Sequence, residues 1–300
     1  MLQSYSSVGN QILYLGDCLE LLKELSTESV QTILTGPPYF ETHAFGNGTW
    51  EGGDATCSHT IPSDGTQRNK KGYRDVCKSC GAVRLQSDVG LTLDLQQYVD
   101  SLVVIFKEAR RVLAKNGTFW LVSGDSYSDG TGIAAKNLYA APWKLAIALQ
   151  EDGWYLRSDI IWEKPSISPF TAPDRPTRSH DYIFLFSKEP HYYYNANAIR
   201  EPTADGGSRH VRTVWSFAPE TYRASGYDYA IFPQHLVARC IAAATQPGDI
   251  VLDPFCGAAT VGVVAMQLKR CSVGIELSPK YIEIASKRLR ITQEAMRKSK

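Results

Sequence analysis

The 300-residue chain has no apolar run long enough to cross a bilayer. Its first residues, MLQSYSSVGNQ, lack the basic-then-apolar order of a secretion signal. There is no excess charge of either sign: 32 Lys and Arg against 31 Asp and Glu leave +1. Charge balance therefore does not advertise a polyanionic partner, and any such contact must come from a local patch. No internal repeat and no low-complexity tract is visible. Seven cysteines, an odd number without a secretion signal, argue against a disulfide framework. These absences leave a cytoplasmic globular chain with no membrane partner, whose length suits one large α/β domain with insertions or two small domains.

Most of the remaining sequence alternates between strand and helix patterns. QILYLG reads as a strand, DCLELLKEL as a helix with Leu19, Leu22 and Leu25 on one face, and VQTILT as a second strand. From His43 to Gly90 periodicity disappears, and a loop that long needs a function or a staple. A long helix follows, its apolar face marked by Val99, Leu102, Val103, Phe106, Ala109 and Val112, with Asn116-Gly117 as its expected stop. TFWLVSGDSY, YLRSDIIWEK and DYIFLFSK read as strands, APWKLAIALQEDG as a helix. Asn195 to Ser225 is polar and irregular. Then come a helix in QHLVARCIAAA, a strand in IVLDPF, a helix in AATVGVVAMQL, a strand in CSVGIEL and a final helix from Pro279. That helix ends in a basic tail with Lys287, Arg288 and Arg290, read as solvated. Cys18, Cys240, Cys256 and Cys271 sit in apolar surroundings as core thiols, and His180 reads as a core histidine. The alternation predicts a Rossmann-like, mostly parallel sheet with helices on both faces, and ligands at the carboxyl ends of its strands.

Three constellations lie at such strand ends. In GDIVLDPFCGAAT a strand gives way to Asp253 and a small-residue turn at Gly257-Ala258-Ala259, where a ligand can approach backbone N–H groups. Glu276 ends the next strand, where an acid accepts ribose hydroxyls. The turn lacks the G-x-G-x-x-G of a nicotinamide site, and a carboxylate at the tip suits a cationic cofactor better than a diphosphate. Asp17, at the second constellation, follows a strand and precedes a helix, as an N-cap or a ligand. The third is TGPPYF. Two prolines stop the strand in a donor-free corner. The Pro37 carbonyl and the Tyr39 ring there suit a planar base with an exocyclic amine.

The order of these motifs resembles the β class of DNA amino-methyltransferases, over nearly the whole chain. In that family a [DNS]-P-P-[YF] motif comes first, a target recognition region next and the F-x-G-x-G-type motif last. Here those are TGPPYF, a stretch within residues 195–229, and DPFCGAAT. GDSY, PWKLAIALQEDGWYLRSDIIWEKP, DRPTRSHDYIFLFSK and FPQHLVARCI resemble intervening family blocks. The resemblance implies a circularly permuted methyltransferase domain over 1–300. It implies S-adenosylmethionine as methyl donor and double-stranded DNA as substrate, with a cytosine or adenine flipped into the site. It leaves a homodimer and a cognate restriction nuclease open. Gly36, Pro37, Pro38 and Tyr39 would form the catalytic corner. Asp253, Phe255, Cys256, Gly257 and Glu276 would line the cofactor pocket, with Asp17 at the adenine amine and Phe232-Pro233 near the methionine portion. Arg200, Arg209 and Arg212 would meet phosphates.

This sequence departs from the family at Gly36, where a side chain normally accepts the second amine N–H. Losing that bond favours either a slowed enzyme or a DNA- and cofactor-binding protein with impaired catalysis. Thr35 or a water would be the substitute acceptor. Thr-Gly-Pro-Pro-Tyr-Phe looks most like the Thr-Ser-Pro-Pro-Tyr form, which leans toward cytosine N4 over adenine N6. Finally, Cys57 and His59 precede Cys77 and Cys80 across a polar loop, a spacing of paired ligands that fits a structural zinc site. Some family members carry a similar insertion, here residues 41–92.

Overall fold

The computed structural model describes residues 3–40, 48–54, 56–57, 77, 79–86, 94–130, 132–166, 173–224 and 227–298. The chain opens with a hairpin of β1 (Ser6–Val8) and β2 (Gln11–Leu15), then α1 (Cys18–Glu24) and β3 (Val30–Thr35). In the insertion, β4 (Gly48–Glu51) pairs antiparallel with β5 (Val83–Gln86). There follow α2 (Leu95–Val112), β6 (Leu113–Ser123), α3 (Ala141–Glu151), β7 (Tyr155–Glu163) and β8 (His180–Ser187). The stretch after β8 carries a 3-10 turn at Ala196–Ile199, β9 (Glu201–Pro202), β10 (Ser208–Arg209), β11 (Val214–Ser216), β12 (Glu220–Ala224) and β13 (Tyr227–Ile231). The chain closes with α4 (Gln234–Ala244), β14 (Ile250–Asp253), α5 (Thr260–Gln267), β15 (Cys271–Glu276) and α6 (Pro279–Lys298).

Nine of these strands form one sheet in the order β1-β2-β15-β14-β3-β6-β8-β7-β11. From β2 to β6 the pairs are parallel, whereas β8 is antiparallel to both β6 and β7. Alternation along each buried strand feeds two cores. Ile33, Phe119, Leu121, Phe184 and Phe186 face α1, α2 and α3. Leu34, Trp120, Val122, Ile183 and Leu185 face α4 and α5. β14 and β3 run parallel, pairing Leu252 with Ile33, but the order in which strands are added reverses between them: β15 extends the sheet from β14 on one side and β6 from β3 on the other. That reversal opens a crevice at the strands' carboxyl ends, the favoured ligand position in such sheets.

Local chemistry sets the helix starts. Asp17 Oδ1 caps α1 through Leu19 N–H at 2.9 Å and Glu20 N–H at 3.2 Å, and Asp94 caps α2 through Gln96 N–H at 2.7 Å. The long helix ends earlier than its composition predicts. Leu113, fully buried, turns extended and pairs with Val30, so the chain passes straight into the sheet. Asn116-Gly117 is then no helix stop but part of a bulge, since the register resumes only at Thr32 and Thr118. A Cβ on Gly117 would lie 2.8 Å from the Gln31 carbonyl oxygen, which requires glycine there.

Four further expectations are revised. Residues 195–225 hold more regular structure than their polarity suggests. Their strands are two to five residues long, too short for alternation to register, yet β11 joins the main sheet and buries Trp215. Arg288 is not part of a solvated helix end; it is 5% exposed. His180 is half-buried at the start of β8, edge-on to Tyr182 at 5.3 Å, rather than in the core. Cys18, Cys240 and Cys256 are buried as expected, whereas Cys271 is half-buried.

Candidate active site

Four neighbouring strands, β2, β15, β14 and β3, carry most of the residues singled out from sequence. At their carboxyl ends stand Asp17, Glu276, Asp253 and the Gly36–Tyr39 corner, in that spatial order. Three inter-strand steps span roughly 14 Å. The tips are tied together: Gly16 N–H donates to the Glu276 carbonyl at 2.9 Å, and Thr35 Oγ1 donates to Asp253 Oδ1 at 2.6 Å. Thr35 and Asp253 are 218 residues apart, and only the sheet order makes them neighbours.

The turn after β14 is held from β15. Glu276 Oε2 accepts the Gly257 N–H and Oε1 the Ser278 N–H, each at 2.9 Å. Gly257 has φ +48° and Ala259 φ +56°, so the chain twice enters the left-handed region before α5 starts. Cys256 packs on Gly274, where a Cβ would lie 3.0 Å from Cys256 Cβ and Sγ. Asp253 is 5% exposed, and burial raises its carboxyl from 3.8 to about 7. Thr35 and Phe255 N–H, at 3.1 Å, partly offset that rise, and the Glu276 charge adds to it. A buried acid of this kind favours a cationic ligand. Burial likewise pushes the Cys256 thiol well up, so it is no nucleophile.

The corner after β3 is braced on every side. Tyr98 Oη on α2 donates to the Pro38 carbonyl at 3.0 Å, and Ser126 Oγ to the Phe40 carbonyl at 3.1 Å. Phe40 is buried between Tyr98 and Tyr139, with ring centroids 5.4 and 4.9 Å away. No described residue donates to the Pro37 carbonyl. The Tyr39 ring lies over Gly124, where a Cβ would meet Tyr39 Cε2 at 2.5 Å. Its hydroxyl donates to Asp181 Oδ2 at 3.2 Å, and Lys164 Nζ reaches the same oxygen at 2.5 Å. Burial beside Asp181 pushes the Tyr39 hydroxyl's pKa well up. Lys164 also lies over the Trp162 ring at 4.6 Å.

Asp181, Lys164, Gly124 and Tyr98 were not among the expected site residues. Asp181 had a visible signal, a lone carboxylate leading the apolar run of SHDYIFLF. Thr35 is fully buried and its hydroxyl proton goes to Asp253, so only the lone pairs of its oxygen are left to accept a bond. Phe232 is brought against Gly36, and Pro233 caps α4. Beyond the corner, the β12–β13 hairpin docks against the starts of α4 and α5. Glu220 Oε1 accepts the Gln234 N–H at 3.1 Å. Arg288 lies 4.6 Å from the centre of the Tyr222 ring while donating to the Ala258 carbonyl at 3.0 Å and to Thr260 Oγ1 at 2.8 Å.

Away from this crevice, the Cys57, Cys77 and Cys80 sulfurs all lie within 4.8 Å of one another. His59 lies outside the described residues. Cys57 Sγ and Cys77 Sγ are 3.7 Å apart, close to the ~3.8 Å edge of a tetrahedron with metal–sulfur bonds of ~2.3 Å. Gly81, at φ +71°, returns its N–H to the Cys77 carbonyl at 2.8 Å, the tight turn that aims two thiols at one point. Arg200, Arg209 and Arg212 are all exposed; Arg200 bonds Ser208 and Arg209 pairs with Glu201 at 3.4 Å.

A mixed sheet with helices on both faces, acids at neighbouring strand tips and a Pro-Pro-Tyr corner where the strand order reverses together define a methyltransferase-type α/β domain. A DNA methylase family profile, of the N6/N4 type, matches residues 30–287. The chain is 38% identical to the type II methyltransferase M.Cfr9I of Citrobacter freundii, over 92% of this chain and 87% of that one. It is 35% identical to M.SmaI of Serratia marcescens, over 92% and 90%. The chain belongs to the N6/N4 DNA methylase family, whose chemistry is methylation of an exocyclic amine in DNA. The fold is shared with PvuII DNA methyltransferase (cytosine-N4-specific), at a TM-score of 0.66 and 21% identity over 95% of this chain and 87% of that one. It is shared too with the putative DNA modification methylase TTHA0409 of Thermus thermophilus (TM-score 0.61, 21% identity, 93% of each chain), solved with S-adenosyl-L-methionine.

Proposed function

We propose that this chain transfers a methyl group from S-adenosylmethionine to the exocyclic amine of a base flipped out of double-stranded DNA, with cytosine N4 favoured over adenine N6. The observation that carries the reading is the adjacency of the Gly36–Tyr39 corner to the Asp253 tip across the β14/β3 reversal. The cofactor residues Asp17, Asp253, Phe255, Cys256, Gly257 and Glu276 line the neighbouring tips, a span suited to an adenosine joined to an amino-acid chain. Asp253 is the buried acid that a cationic ligand would neutralise. Glu276 already holds the turn through two backbone N–H groups, so a ribose would share its oxygens. The preference for cytosine rests on the likeness of TGPPYF to the Thr-Ser-Pro-Pro-Tyr form.

In this reading Tyr39 stacks on the flipped base, its ring fixed by Gly124 beneath and Asp181 at its hydroxyl. The Pro37 carbonyl accepts one amine N–H and draws the nitrogen lone pair out of conjugation. Bound S-adenosylmethionine would supply an electrophilic methyl: a C–N bond forms as the C–S bond breaks, leaving a neutral thioether. The methylated amine, briefly cationic, loses its extra proton to bulk water as the product base leaves the site. Much of the acceleration is positioning and charge placement, and no cysteine nucleophile is required. Arg212, exposed beside β11, is the best placed of the recognition arginines for a phosphate.

Cys57, Cys77 and Cys80, with His59 as fourth ligand, would hold a structural zinc stapling the insertion. Homodimerisation and a cognate nuclease are further proposals carried by the family alone.

The test is methyl transfer from labelled cofactor to DNA, followed by nucleoside analysis. N4-methylcytosine is the expected product. N6-methyladenine would overturn the base assignment. Tight DNA and cofactor binding without transfer would favour the impaired-catalysis reading, which Gly36 motivates.

A further inference from the structure

Gly36 lacks a side chain for a reason found elsewhere in the chain. A Cβ on Gly36 would lie 2.4 Å from Phe232 Cζ, 3.3 Å from Phe232 Cε1 and 3.2 Å from the Val122 carbonyl oxygen. Carbon pairs prefer about 3.5–4.0 Å, so the ring occupies the volume any residue-36 side chain would need. The backbone does not ask for glycine, since Gly36 is absent from the residues with positive φ. Crowding does. Nor can the ring retreat freely. Phe232 is half-buried, packs against the α4 core and lies edge-on to Trp162 at 6.4 Å. Its backbone leads directly into buried Pro233, the N-cap of α4. The missing side chain at 36 and the ring at 232 are one feature.

We propose that Phe232 is a positioning residue of the amine pocket and stands in the place of a residue-36 side chain. Its ring edge closes the slot beside the Pro37 carbonyl, keeps water out of it and sets the depth at which the base stacks on Tyr39. The target amine then engages the corner through the Pro37 carbonyl alone, in a site too dry for a competing acceptor. This rests on the amine-methylation reading above. It reverses the simple expectation for Gly36→Ser. The serine does not restore an absent hydrogen bond; it displaces the ring that replaced it.

The test is a double-mutant cycle of Gly36→Ser, Phe232→Leu and the pair. Leucine removes the Cε and Cζ atoms that collide and keeps the base of the side chain. Single-turnover methyl transfer, DNA and cofactor affinities and thermal unfolding are measured for all four proteins. Gly36→Ser should slow transfer about tenfold and lower the melting temperature, as overpacking of a filled site does. Phe232→Leu should slow single-turnover transfer severalfold at saturating cofactor while DNA affinity stays within about twofold, a split that loss of structure alone would not give. The double variant should be faster than Gly36→Ser and melt higher. Gly36→Ser at the parent's rate and melting temperature, or single losses that simply multiply in the pair, would overturn the proposal. A parent that transfers no methyl to DNA would instead remove the amine-methylation reading, and the positioning role with it.

Discussion

Replacing Asp253 with asparagine should stabilise the ligand-free protein at alkaline pH and weaken its cofactor. Asp253 is 5% exposed. Its Oδ1 accepts Thr35 Oγ1 and the Phe255 N–H, and no basic side chain pairs with it among the described residues. Burial therefore dominates and lifts the carboxyl from 3.8 to about 7. In the unfolded chain the group titrates near 3.9. Between those values the folded state holds the extra proton, so stability is full below about pH 4 and is lost as pH rises through about 7. At about 1.36 kcal/mol per pKa unit, the loss is on the order of 4 kcal/mol at pH 8. Asparagine keeps an oxygen acceptor for Thr35 and Phe255 but cannot ionise. Urea unfolding from pH 4.5 to 8 should thus show parent and variant close in stability at the acid end. The variant should pull ahead by a few kcal/mol at the alkaline end. Cofactor binding should move oppositely. The parent's affinity should fall about tenfold per pH unit below 7 as Asp253 protonates, and the variant should be weak and flat with pH. A stability difference that does not change with pH would refute the reasoning, because Asp253 would then be ionised, or neutral, in both states throughout.

Three other perturbations test separate parts of the site. Tyr39→Phe removes the hydroxyl bond to Asp181 and should cost about 1 kcal/mol in unfolding experiments. Tyr39→Ala should also weaken capture of the flipped base by roughly 1–3 kcal/mol, read by fluorescence of a base analogue at the target. Arg288→Met leaves the Ala258 carbonyl and Thr260 hydroxyl without their buried donor. It should cost about 2 kcal/mol of stability and lower cofactor affinity, measured by calorimetry. Elemental analysis should find about one zinc per chain. Cys80→Ser or a strong chelator should remove it and lower the melting temperature; a metal-free parent with the same melting temperature would exclude the staple.

Much of the site could be read along the chain because its residues punctuate strands. Asp253, Glu276, Asp17 and Gly36 each stand where an apolar run ends, and a strand end is a local event that side-chain pattern and turn residues reveal. The start of α1 was legible for the same reason, since Asp17 acts on N–H groups two or three residues away. The end of α2 was not legible. Asn116-Gly117 looks like a helix stop, yet Leu113 leaves the helix earlier because β3 offers Val30 as a partner. Arg288 looked solvated for a related reason: its partners, Ala258, Thr260 and Tyr222, lie 28 to 66 positions away in sequence.

Read alone, the sequence determined the order of the main strands and helices, the acids at the tips of β2, β14 and β15 and the rigidity of the Pro-Pro corner, because propensity, capping and proline sterics act within a few residues. Tertiary structure decided which tips are neighbours. Strand order placed Asp253 beside Thr35, β8 carried Asp181 to the Tyr39 hydroxyl, and α4 brought Phe232 into the space beside Gly36. That last contact changes the meaning of the glycine. In the sequence it is a missing hydrogen-bond acceptor; in the fold it is the room that an aromatic ring requires, since two groups cannot share one volume.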